Sequence, residues 1–180
     1  MNSSLEKTEK VLSRTANFFA NIGGFFIFLM MMHICADVFL KYAFNSPIDG
    51  TLEIVSAFYM TTIVFAPLMA VTLFDGHISV TVFTALLKPR SMRITILIVS
   101  VFCLLVTAYM TYAGIDQALR KMTAGESWET SSGYIAIWHA RWSYPVGVGL
   151  ACAAFAWTTL QSYFALKYNL EITDGDMGLG

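Results

Sequence analysis

The residues able to do chemistry in this sequence stand at the ends of long uncharged runs. Asp37 and Lys41 lie four apart with the acid first, the better order for an ion pair along a helix. Asn45, Pro47, Asp49 and Gly50 then form a turn cluster, in which Asp49 or Thr51 can cap the next helix. Glu53 falls in that helix's first turn, where the helix dipole favours an anion. Gly76 and His77 follow the next run beside Asp75, while Arg141, Pro145 and Gly147 open the last one. For His77 the preferred reading is a turn that redirects the chain.

These groups do not compose a familiar catalytic motif. A haem between helices needs axial ligands, and only His33 lies well inside an apolar run, so a polar group satisfied between helices is preferred to ligation. Cys35, Cys103 and Cys152 are unpaired in sequence and embedded in apolar stretches, where they read as small hydrophobes and not as redox or metal centres. Serines and histidines occur without a local nucleophile signature. The expectation is a protein that is not an enzyme and has no cofactor of its own. For Asp37 and Lys41 two roles stay open. They cap and pair at one tight turn, worth at most about 1 kcal/mol at a surface, or they fix the first two helices and offer charge to a partner. Glu53 reads as a partner contact.

Hydropathy supplies the elements that must carry these residues. Hydrophobic residues make up 57% and charged residues 13% of 180, against about 45–50% and 25% in soluble domains; too few charges remain to cover a watery surface. A net charge of −1 with 11 scattered Lys and Arg excludes nucleic acid as a partner. After Glu53 no acid or base occurs until Asp75, and the 21 residues Ile54 to Phe74 are enough at 1.5 Å each to cross about 30 Å of hydrocarbon. Thr15–Ala36, Ile94–Ile115 and Trp142–Leu166 are likewise uncharged. The first of these is longer than a secretory apolar core and reads as a retained span.

The prediction is therefore an all-α integral membrane protein, a single four-span domain over residues 1–180. Spans are expected at about 17–42, 52–74, 93–117 and 142–167, with Pro67 kinking the second. Residues 1–17 predict a short amphipathic helix on the membrane surface, residues 77–88 an in-plane interfacial helix, and residues 169–180 a disordered tail. Gly147, Ala151 and Ala154 make a small-residue face for close helix approach. Trp128, Tyr134, Trp138, Trp142 and Tyr144 predict an aromatic belt at headgroup level. Seven Lys and Arg on the side of both termini, against four opposite, predict cytoplasmic termini. No Asp, Glu, Lys or Arg lies in any run, unlike a self-contained transporter or channel.

The order of these motifs resembles the small membrane subunit of TRAP (tripartite ATP-independent periplasmic) transporters of the DctQ type. The resemblance rests on Asp37 and Lys41, on Asn45, Pro47, Gly50 and Glu53, on Gly76, His77, Ile78 and Val80, and on Pro145, Val146 and Gly147. It covers essentially the whole chain. Lys41 departs from the pattern, since Arg is expected there in many members and Lys lacks the planar bidentate fork. The resemblance implies a bacterial inner-membrane scaffold that binds a large elevator-type membrane subunit, membrane lipids and a periplasmic substrate-binding protein. It implies a sodium-coupled import of carboxylates or related organic acids, with sodium bound in the partner subunit. Glu53 and Arg141 would then help hold the partner or the docked binding protein. A membrane anchor for a redox complex, and an independent small-solute transporter, are the competing readings.

Overall fold

The computed structural model describes residues 2–74, 89–130 and 132–168. Within them are four helices long and apolar enough to cross a membrane, one for each uncharged run.

The first is one unbroken helix, Asn2–Phe44. At 1.5 Å per residue it is about 65 Å long, roughly twice the hydrocarbon thickness, so several turns lie beyond any bilayer it crosses. The expected surface helix at residues 1–17 is thus not a separate element. Neither Pro nor Gly interrupts residues 2–22. Leu12, Ala16 and Ala20, spaced four apart, lay one face on Met69, Ala70 and Leu73 of the second span and on Leu150 and Ala154 of the fourth. That burial keeps the segment in line with the span.

The second span is broken, as Pro67 predicts, and more thoroughly than expected. It is α-helical at Thr51–Ile54, π-helical at Val55–Met60 and α-helical again at Thr61–Phe65, and it resumes at Leu68–Leu73. Pro67 has no N–H to give Ile63, its partner four residues back, and the chain turns there. Gly23 of the first span makes room for the break, since a Cβ at that position would stand 3.3 Å from Pro67 Cδ.

The third span, Pro89–Thr123, outruns its expected limits of 93–117. It closes with Gly125 at φ 62°, where Glu126 N–H returns to Lys121 C=O at 3.1 Å and Gly125 N–H to Met122 C=O at 3.2 Å, the paired bonds that end many helices. The fourth, Ser143–Tyr168, follows a 3₁₀ turn at Trp138–Trp142. Between the third span and that turn lies a two-stranded antiparallel hairpin, β1 Ser127–Glu129 and β2 Tyr134–Ala136, with Trp128 opposite Ile135. The all-α expectation is corrected there. The in-plane helix expected at residues 77–88 and the tail at residues 169–180 lie outside the described residues.

The fourth span is the hub, packing on both the second and the third, while the first packs on the second. Its small face does what its spacing predicts: Ala151 and Ala154 are fully buried, and Gly147 lies on the backbone of Phe65. A Cβ at Gly147 would overlap the Phe65 carbonyl, and backbone cannot rotate aside as a side chain can. Gly147→Val is expected to destabilise the fold by about 2 kcal/mol or more, as overpacking does. Gly24→Ala, whose new methyl meets nothing within 4 Å, should be neutral or stabilising. Thermal unfolding in detergent compares the two, and equal melting points would contradict the contact.

Candidate functional site

Most of the singled-out residues converge at one end of the bundle, where the turn between the first two spans meets the hairpin. The turn begins at Asn45, whose φ of 51° ends the first helix in the left-handed region that Asn tolerates. Asp37 does not pair with Lys41 among the described residues. Its Oδ1 instead accepts the Ile48 backbone N–H at 2.7 Å, so a helix carboxylate holds the turn that follows. Lys41 stays exposed in the last turn of the helix.

Neither Asp49 nor Thr51 caps the second span. The cap position is Gly50, without a side-chain bond, and Thr51 Oγ1 donates to Ile48 C=O at 3.1 Å. The Asp49 carboxylate reaches across the molecule instead, accepting Thr130 Oγ1 at 2.9 Å and Ser132 Oγ from the hairpin loop. Gly50 suits the turn because its φ is 75°, where other residues are strained, and a Cβ there would have to push the tip of the Ile135 side chain of β2 aside. Turn and hairpin are therefore one unit, sealed beneath by Ala57, Ile137 and Ala140 with Trp128 and Ile135 packed on them. Trp128 is thus part of a packed cluster as well as a candidate belt residue.

A second clamp closes the hairpin's base. Arg141 Nε and Nη2 each donate to Glu126 at 2.9 Å, a bidentate pair, and Lys121 Nζ lies 3.2 Å from the same carboxylate. The Glu126 side chain is only 13% exposed. Hydrogen bonding from Arg141, aided less strongly by Lys121, holds its carboxyl below the ordinary 4.5 against the opposing effect of burial. Its backbone also serves, since Ile137 N–H donates to Glu126 C=O at 3.1 Å. Sequence reasoning named Arg141 but missed Glu126, whose only signal was an acid just past the glycine that ends a helix.

Glu53 is half-buried, and no described residue pairs with its carboxylate. Pro145 is buried in the first turn of the fourth span, where a missing N–H costs little, and packs near Gly114 of the third. Gly147 belongs to the bundle interior, one and a half turns from the clamp. Gly76 and His77 lie outside the described residues. Deeper in the membrane, His33 Nδ1 meets Tyr59 Oη at 3.4 Å, the rings edge to face, so the histidine does bridge two helices; its Nε2 has no partner among the described residues.

The family model for tripartite ATP-independent periplasmic transporters, DctQ component, matches residues 30–164. Comparison with curated proteins and with solved structures gives no match.

The Glu126 clamp has a pH signature. A carboxyl lowered in the folded state contributes its full stability above about pH 4.5 and loses it as pH falls through the lower folded value. Glu126→Gln should cost about 2 kcal/mol at neutral pH, the scale of a hydrogen bond to a charged group. Wild type and variant should then converge below pH 4.5. Thermal unfolding at stepped pH measures the gap, and a gap independent of pH would remove the ion pair from the account.

Proposed function

Since this chain belongs to the DctQ family of tripartite ATP-independent periplasmic transporter components, we propose that it is the non-catalytic small membrane subunit that braces the large one. The large subunit carries the substrate and sodium sites and moves them as an elevator. The periplasmic binding protein delivers a carboxylate or related organic acid to the pair. Both termini face the cytoplasm, which puts the turn and hairpin unit on the periplasmic side, where a binding protein docks. Four apolar helices and the family assignment fit a multi-pass protein of the inner membrane. The redox-anchor reading finds no support in that assignment.

The observation that supports a brace most directly is how the spans spend their polar groups. Thr72, Thr107, Thr111, Thr158 and Thr159 each donate to the carbonyl four residues back on their own helix. No acid, lysine or arginine lies in any of the four runs. A charged solute or sodium crossing hydrocarbon needs groups free to meet it. The charged residues cluster instead at the span ends, where two clamps tie the connections together. Such a body resists deformation, which a stationary partner of a moving domain requires.

Glu53 is a half-buried carboxylate at this end without a described partner, unlike the exposed Glu129 of the hairpin, and it is assigned here to the large subunit. Glu53→Gln should reduce recovery of the large subunit on affinity purification by about tenfold, equivalent to about 1.4 kcal/mol. The fold should be unaffected, as judged by thermal unfolding. Proteoliposomes with all three components should take up substrate in a sodium gradient, and this chain alone should not. Uptake by the chain alone would overturn the brace.

A further inference from the structure

Two carboxamides stand exposed inside the first span. Asn17 and Asn21 fall within the uncharged run Thr15–Ala36, and both residues are exposed. Packing fixes their depth. Ala16 and Ala20, beside them on the helix, join a cluster with Ala154 of the fourth span, which lies twelve residues from either end of its own uncharged run. At 1.5 Å per residue that is about 18 Å from each end, well inside hydrocarbon. Hydrocarbon offers a primary amide nothing to bond with, so an amide left there is costly. Threonines of the other spans escape that cost by donating to carbonyls of their own helices. Asn17 and Asn21 have no side-chain partner among the described residues.

The two amides belong to a stripe. Lys10, Arg14, Asn17, Asn21 and Gly24, spaced four, three, four and three, share one face of the helix, and all five are exposed. The face at Leu12, Ala16 and Ala20 that packs on the second and fourth spans lies elsewhere around the helix. At Gly24 a Cβ would meet nothing within 4 Å, so a neighbouring helix has room to come close. Amides that pair across helices, beside a small residue, are a means by which spans associate in lipid.

Amides pair with amides, so Asn17 and Asn21 by themselves would suit a second copy of this chain. The charges argue otherwise. Arg14 is the last charge before the uncharged run. A second copy set on this face by a two-fold axis along the membrane normal would bring two Arg14 side chains together, a like-charge contact. Glu6 lies two turns, or about 12 Å, farther along the helix, beyond the reach of a screened charge, and Glu9 is turned about 140° around it from Arg14.

We propose that this stripe seats a helix of the large membrane subunit, one with a carboxylate level with Arg14 and a hydroxyl or carboxamide level with Asn17 and Asn21. The identity of that partner rests on the brace reading. The contact is separate from Glu53, which stands past the turn at the other end of the first span.

The test titrates the full chain in detergent against the purified large subunit. Asn17→Leu combined with Asn21→Leu should raise the apparent Kd about tenfold, the loss expected for two hydrogen bonds between helices. Gly24→Leu should do the same by blocking close approach. The melting temperature of the free chain should be no lower in either variant, because all three residues are exposed there. In membranes holding the assembled complex, Asn21→p-benzoylphenylalanine should photo-crosslink to the large subunit. Unchanged affinity in both variants overturns the stripe and leaves the brace standing, whereas failure of wild type to bind the large subunit removes both. Adducts confined to this chain or to a second copy of it overturn the proposal, as does the absence of any adduct.

Discussion

Hydrocarbon gives apolar helices little reason to touch one another, because a leucine is as well solvated by lipid tails as by another leucine. What brings these spans together is close approach, and Gly147 of the fourth span, with no room for a Cβ against the backbone of Phe65 in the second, marks one such crossing. Everything else in the bundle follows from that crossing. It leaves Ala151 and Ala154 fully buried, which lets the fourth span serve as hub for the second and third, with the first packed on the second and on Ala154. Dispersion between closely apposed backbones stands in for the hydrophobic effect that holds a soluble core.

The second span is the element most altered by these demands. Its π-helical stretch and its break at Pro67 would expose backbone groups that lipid cannot satisfy. Both defects face protein instead. Gly23 fits against Pro67, and the π-helical stretch presents Tyr59 to His33 and Ala57 to the cluster beneath the hairpin. Thr62 Oγ1 and Ser143 Oγ, 3.2 Å apart, add a polar link to the start of the fourth span. A π-helical stretch shifts the register of the side chains beyond it, and here it lets one helix meet the first span and the hairpin from the same few turns.

The end of the bundle that carries the hairpin is built on different physics. Charged groups and turns gather there, and the structure uses them to fasten neighbouring turns and, through Asp49, to join the first turn to the hairpin 81 positions on. Asp37 holds the turn at Ile48, Asp49 holds the hairpin loop, and Glu126 holds Arg141 and Lys121. These bonds make a rigid lid over one end of otherwise smooth helices.

Hydropathy alone marked four long apolar helices, the number found among the described residues, and kept Asp, Glu, Lys and Arg out of their uncharged runs, because composition along a run needs no tertiary partner to be read. Local chemistry also marked the break at Pro67 and the small face at Gly147, Ala151 and Ala154, since both act within one or two turns. The rest waited for tertiary structure. The hairpin was hidden because three-residue strands leave almost no alternating pattern. Asp37 looked like half of an ion pair four residues long, and Asp49 like a cap, until the fold supplied Ile48 and Thr130 as nearer or better donors. Gly50 looked like an ordinary turn glycine, but Ile135 lies where its Cβ would be. Thr130 and Ile135 lie more than 80 positions from Asp49 and Gly50, and Ile48 lies 11 from Asp37, separations that no helical spacing encodes.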